Sequence, residues 1–231
     1  IRAEIDIMKE IGVEVRTGVE VGKDVTIAQL REEGYKAFYV AIGCQGGRLP
    51  GIPGETLKGT TTAIDFLHEA NCGDVKVEGK VVVVGGGNVA IDAARVAIRS
   101  GASQVTMLSL ETEDIMPASL EERAEAREDG VVINPGWGPK EVLGSDKVSG
   151  IVFKKCTSVF NAEHRFAPEY DENELITLDA DMVIFAIGQT VILKDLLKDT
   201  KVEFFRGVYP VADKLTYQTA EPDIFVGGDC F

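Results

Sequence analysis

A chain of 231 residues with 45% apolar side chains is long enough to bury one large core or two modest ones. Its formal net charge of -14 repels polyanions at long range, which argues against nucleic acid as a partner and requires any phosphate ligand to be held by local donors. No run of about 18 apolar residues is present to cross a bilayer, and the opening IRAEIDIMKE lacks the basic start and apolar middle of a signal peptide, so a membrane partner is not expected.

Ile1, Ile5, Met8 and Ile11 recur at helical spacing among Arg2, Glu4, Asp6, Lys9 and Glu10, which predicts an amino-terminal helix. A short strand over residues 13–17, a polar helix over 26–33 and a buried strand over 37–42 follow. The Gly- and Pro-rich stretch 43–54 reads as a loop long enough for a domain crossover, and 63–70 as a short helix. Residues 81–84 predict a strand buried on both faces, 89–100 a helix and 104–109 a second strand, which together make a βαβ unit. Ser119 with Glu122 three residues on forms a capping box for a helix to Arg127 that Gly130 ends, and 131–134 is the next strand. Between 140 and 178 short β-prone runs at 148–155, 158–160 and 175–178, split by polar turns, predict an antiparallel insertion. Residues 181–187 return to a buried strand. The stretches 36–43 and 180–188 both run an apolar strand into Ala-Ile-Gly and bracket the βαβ unit, suggesting two matching crossings between domains.

The expected fold class is therefore α/β, with a Rossmann-like parallel sheet and an antiparallel β insertion. Val81-Val82-Val83-Val84 leads directly into Gly85-Gly86-Gly87-Asn88-Val89-Ala90, the G-x-G-x-x-A form of the dinucleotide fingerprint. Gly85 permits the tight turn, Gly87 leaves the backbone open to a pyrophosphate, and Ala90 lets the helix lie close to the sheet. The N–H groups at the helix start then supply the positive charge that the acidic chain otherwise lacks. Asn88 is a candidate both to cap the helix and to donate to phosphate. Glu111, about 20 residues beyond the glycines, is placed to accept from the ribose hydroxyls of NAD(H) and to repel the 2'-phosphate of NADP(H). No Arg or Lys occurs from Thr112 to Glu122, which favours NAD(H) over NADP(H). The alternatives are a Rossmann-like methyltransferase and a degenerate structural or partner-docking domain. Near the carboxyl end, Gly227-Gly228-Asp229 follows a short buried strand and offers a close backbone approach with a carboxylate for a ribityl or ribose hydroxyl.

Cys44, Cys72, Cys156 and Cys230 lie far apart, without a CxxC pair or a His at ligand spacing, so no metal site, iron-sulfur cluster or redox dithiol is expected and a reducing cytoplasmic setting fits. Because Ile1 opens directly into a helical pattern and Phe231 follows the Gly-Gly-Asp turn, the chain reads as an internal piece of a longer polypeptide.

Together these features resemble the pyridine-nucleotide-linked flavoproteins of the glutamate synthase small (beta) subunit type, across essentially the whole chain. The matching residues are A-I-G at 41–43 with P-G-I-P-G-E at 50–55, G-G-G-N-V-A-I-D-A-A-R at 85–95, M-P-A-S at 116–119, F-A-I-G-Q at 185–189 and V-G-G-D-C at 226–230. The resemblance implies an FAD-binding α/β domain, partly present as residues 1–55 with the crossover and 189–231, into which a NAD(P)H-binding domain, 56–188, is inserted. It implies hydride passage from NAD(P)H to FAD, with Gly43 and Asp229 facing FAD and Gly188 joining Gly85 to Ala90 on the nicotinamide cofactor. Stacked rings held in place need no catalytic acid or base, so none is assigned, and His68 and His164 read as surface residues. The family's amino-terminal FAD fingerprint and any iron-sulfur segment do not occur in this stretch, so this piece is not expected to hold FAD unaided and the redox activity is expected of the parent. Its implied partners are the dinucleotide and, in the parent, a large catalytic subunit or a ferredoxin-like protein. A thioredoxin-reductase-like version is disfavoured because no two cysteines form a dithiol.

Overall fold

The computed structural model describes residues 1–73 and 75–231. In chain order its elements are α1 (Arg2–Glu10), α2 (Ile27–Glu32), β1 (Phe38–Val40), β2 (Gly46–Gly47), β3 (Thr60–Thr62), α3 (Ala63–Cys72), β4 (Lys80–Val84), α4 (Asn88–Arg99), β5 (Gln104–Ser109), α5 (Leu120–Glu128) and β6 (Val132–Pro135). There follow β7 (Trp137–Gly144), β8 (Val148–Phe160), β9 (Phe166–Asp179), β10 (Met182–Phe185), β11 (Gln189–Thr190), β12 (Phe204–Phe205), β13 (Tyr209–Pro210) and β14 (Ile224–Val226), with a 3-10 turn at Gly228–Cys230. The chain divides into two units, Ile1–Cys44 with Val191–Phe231, and Gln45–Thr190.

In the second unit β3, β10, β4, β5 and β6 form one sheet in that spatial order, every neighbouring pair parallel. The four consecutive valines of β4 do not alternate with polar residues because both faces of the sheet are covered. Val81 and Val83 pack with Ala90, Ala93, Ala94 and Ala97 of α4, whose small side chains let the helix lie close to the sheet. Val82 and Val84 face the other way, onto Ile151 and Phe153 of β8. That second layer is a three-stranded antiparallel sheet in the order β7-β8-β9. Its strands are longer than the short runs expected from the sequence. The polar residues 171–174 do not end a strand but are taken up at a register shift between Lys154 and Lys155, where the partner changes from Leu175 to Asp171. Such a bulge keeps the flanking backbone paired while its polar side chains stay in solvent.

Ser119 caps α5 by accepting the Glu122 N–H at 3.2 Å, and Gly130 ends the turn beyond it with a φ of +94°. Arg95 of α4 reaches across to α5 and the residue after it, binding Glu125 at 2.5 Å and Asp129 at 2.8 Å. At the two ends of this unit β2 and β11 pair antiparallel.

In the first unit β1 and β14 pair in parallel, and their buried Phe38, Val40, Ile224 and Val226 share a core with Ile27 of α2 and with Leu197 and Val202. Thr26 and Gln29 form a reciprocal capping box at the start of α2. Arg31 binds both oxygens of Asp223, at 2.7 and 2.8 Å, and Glu221 at 3.1 Å, tying α2 to the turn before β14. The strand expected over residues 13–17 does not form. Val13 and Val15 are exposed and no ladder among the described residues takes up their backbone, so extended-strand propensity alone has nothing to pair with. The amino-terminal helix forms as expected, but α1 buries none of its residues. The four cysteines form no disulfide with one another; Cys156 and Cys230 are buried, and burial pushes the Cys156 thiol up. His68 and His164 are exposed, as expected.

Phe153→Ala removes a fully buried ring from the contact of the antiparallel layer with the parallel sheet and is expected to cost about 3–5 kcal/mol, read as a lower urea midpoint. Arg31 holds the Asp223 carboxyl below the usual aspartate range, chiefly by its hydrogen bond. A depressed folded-state value stabilises above the unfolded value, about 3.9, and the contribution is lost as pH falls through the lower folded value. Asp223→Asn is therefore expected to cost about 1 kcal/mol near neutral pH and progressively less below about pH 4, measured by urea unfolding across pH.

Candidate functional site

At the carboxyl ends of β4, β5 and β10 lies a cavity of about 540 Å³. Its floor is Gly85, Gly86 and Gly87, one side carries Leu110 and Glu111, the other Ala186 and Ile187, and Trp137, Lys154 and Tyr170 of the antiparallel sheet form a further wall. This is the position in an open α/β sheet where ligands bind. A larger concavity, about 1110 Å³, lies in the first unit against α2 and β1. It is lined mainly by valine, isoleucine, leucine and tyrosine side chains and holds no glycine turn, whereas the smaller cavity contains the glycine turn that leads into α4.

The three glycines meet different constraints. Gly85 has a φ of +147°, and a Cβ there would collide with the Ala186 carbonyl. A Cβ on Gly86 would lie 2.9 Å from Ser109 Cβ and 2.6 Å from Glu111 Oε2. Around Gly87 a Cβ would meet nothing within 4 Å. Gly87, with φ −93°, is the N-cap of α4, so Asn88 is the first helical residue and not the cap expected from the sequence. The physical reason is that the Asn88 side chain is engaged elsewhere: its Oδ1 accepts the Ser119 N–H at 3.1 Å. With Ala118 N–H donating to Gly86 O at 2.9 Å, that bond packs residues 116–119 beneath the turn. Among the described residues the first amide of α4 with a backbone acceptor is Ala90, which reaches Gly87 O at 2.9 Å. The amides before it are those that a helix start leaves without intrahelical partners, and they suit an anion. Ala90 is fully buried, and Val89 packs at the edge of the helix core.

Glu111 follows β5 with its backbone fixed. Its carbonyl accepts the Gly136 N–H at 2.9 Å and the Ser109 hydroxyl at 3.0 Å. The first basic residue beyond it, Arg123, is buried and donates to the Glu113 carbonyl, while Arg127 binds the Glu113 carboxylate at 2.6 Å. The first two guanidinium groups after Glu111 are thus turned to Glu113. Gly188 has a φ of +122° and its carbonyl accepts the Arg48 N–H at 3.2 Å.

In the first unit the parallel pairing of β1 with β14 brings Gly43 and Asp229 to the same end of the two strands. Gly43 has a φ of +68° with open space around it, Asp229 is exposed, and the Cys44 thiol donates to the Asp229 carbonyl at 2.8 Å. Lys154, Trp137 and Tyr170 were not legible as site residues. No spacing rule marks them, and only the register of β7, β8 and β9 brings them to the cavity.

A parallel sheet whose central strand ends in a glycine turn that opens a helix defines a Rossmann-like dinucleotide-binding α/β protein. The chain belongs to the pyridine nucleotide-disulphide oxidoreductase family, whose model matches residues 2–231. It is 35% identical to the glutamate synthase [NADPH] small chain of Halomonas elongata over 96% of this chain and 50% of that one. To the NAD-dependent dihydropyrimidine dehydrogenase subunit PreT of Escherichia coli O157:H7 it is 33% identical, over 98% of this chain and 49% of the relative. The chain thus spans about half the length of these relatives. The structure of Mycobacterium tuberculosis FprA in complex with NADPH superposes with a TM-score of 0.73 at 20% identity, over 91% of this chain and 61% of that one, and so shares the fold. The methyltransferase alternative finds no support among these matches.

The glycines separate fold from access. Gly85→Ala is expected to lower the melting temperature clearly, because both the dihedral and the Ala186 carbonyl oppose it. Gly87→Ala, in open space at an ordinary φ, is expected to leave it within about 2 °C of wild type, the scale of a small surface change, with both variants followed by thermal unfolding.

Proposed function

We propose that the chain is the nicotinamide-dinucleotide-binding segment of a flavin-dependent oxidoreductase of the glutamate synthase small subunit type. The observation that carries this reading is the unobstructed space over Gly87 at the first turn of α4, a cradle that a Cβ would begin to fill. Gly85 shapes the turn, the amides from Gly86 to Val89 meet the pyrophosphate, Ala90 seats the helix, and Gly188 lies toward the nicotinamide end. Asn88, with its oxygen committed to Ser119, keeps its amide N–H groups for the phosphate. Residues 56–188 form the nicotinamide domain, and 1–55 with 189–231 the FAD side, with Gly43 and Asp229 as its contacts. Bound nicotinamide and flavin supply the hydride chemistry; the side chains position them and exclude water.

The choice of nucleotide rests on Glu111. Relatives at this level of identity include one named for NADPH and one for NAD, so similarity does not decide it. A carboxylate at the end of β5 accepts from both ribose hydroxyls and repels a 2'-phosphate, and the first two arginines after it are bound to Glu113. The reading therefore favours NAD(H). In the parent, a large catalytic subunit or a ferredoxin-like protein takes the electrons onward.

Calorimetric titration tests this directly. NADH is expected to bind more tightly than NADPH, and Glu111→Ala to narrow the difference. Equal or reversed affinities would remove the role given to Glu111. Binding of neither nucleotide would favour a degenerate structural domain.

A further inference from the structure

Among the described residues lining the cavity, Lys154 is the one cation. It stands on β8, next to the fully buried Phe153, at the register shift where β9 changes partner. Its ammonium lies 4.1 Å from the centroid of the Tyr170 ring, and Tyr170 in turn fills the space left by the missing side chain of Gly138. The side chain is 20% exposed, so the stem is held while the charge stays at the cavity wall. Its partner is Glu172 at 2.7 Å, a side chain 58% exposed that also lies 3.5 Å from Lys140. Those two lysines, Lys154 first by its hydrogen bond, hold the Glu172 carboxyl below its usual range.

We propose that Lys154 is the phosphate-recognising cation of this cavity, exchanging Glu172 for a phosphate of the bound dinucleotide. The inference rests on the dinucleotide reading above. A dinucleotide brings two negative charges to a cavity that already contains Glu111, and the glycine turn and helix start answer them with dipoles and no full charge. Lys154 supplies a full charge on the facing wall. Glu172 can release it cheaply, because Lys140 remains to pair with the carboxylate. The phosphate is either the bridging diphosphate or a 2'-phosphate, and the two nucleotides distinguish them.

The test is titration of the full chain with NADH and with NADPH, followed by calorimetry and by the emission of Trp137, the single tryptophan, which lines the same cavity. Lys154→Met keeps the stem and removes the charge. It is expected to weaken binding about tenfold and to flatten its salt dependence, while Lys154→Arg restores most of the affinity. Equal loss for both nucleotides identifies the diphosphate, and loss confined to NADPH the 2'-phosphate. Glu172→Gln, a change at an exposed side chain, frees the ammonium and is expected to tighten binding about threefold, roughly the worth of one exposed ion pair. Wild type that binds while Lys154→Met and Glu172→Gln both match it overturns the inference and leaves the cavity reading standing. Wild type that binds neither nucleotide overturns both.

Discussion

The geometry of the cavity depends on the absence of a side chain at Gly85. The carbonyl of Ala186 occupies the place where its Cβ would stand, so the ends of β4 and β10 come together only because that position is glycine. The same residue turns the chain at a φ that side chains rarely adopt, which delivers Gly87 to the N-cap of α4 one residue ahead of the helix. Everything built on the turn follows from that placement: Ala90 packs at zero exposure, and residues 116–119 close beneath through the Ala118 and Ser119 amides. The crowding falls on Gly85 and Gly86, and Gly87 has open space.

Charge explains why the site is made from backbone. Acidic groups outnumber basic ones, 38 to 24, and many of the cations are spoken for. Arg31 serves Asp223 and Glu221, Arg95 and Arg99 serve Asp129, and Arg127 serves Glu113. These bonds stitch elements together and leave little positive charge for a ligand. Helix-start amides do not compete in that exchange, because carboxylate side chains do not reach them without a cap, and Gly87 carries none. An acidic chain can therefore present an anion site without changing its surface balance.

How far the sequence predicted the fold differs by layer. The parallel unit was legible because β4, α4 and β5 carry their signals locally: an unbroken valine run, alanines at helical spacing and a glycine turn between them. The boundaries of β5 at Gln104 and Ser109 match the expectation, as does the start of α5 after Ser119. Residues 13–17 misled because valines at alternate positions describe a strand only when a neighbour exists to pair with it. The antiparallel layer was legible as a class and not in detail, since the stretch Asp171 to Glu174 looks like a turn until the partner strand absorbs it at the register shift. For the site, the glycines and Glu111 were visible from spacing. Lys154 was not, because its place depends on that same register.

The second layer also decides where recognition can vary. One face of the parallel sheet is covered by helices whose small residues are fixed by close packing, and the start of α4 is fixed with them. The other face is covered by strands, whose residues alternate between core and surface with a period of two. Ile151 and Phe153 anchor β8 against Val82 and Val84, and the bulge after them sets Lys154 at the cavity wall. A substitution at Lys154 leaves those anchors and the glycine turn unaltered, whereas one at Gly85 disturbs every strand end it touches. The lining of the cavity can thus change on the antiparallel wall while the glycine floor stays constant.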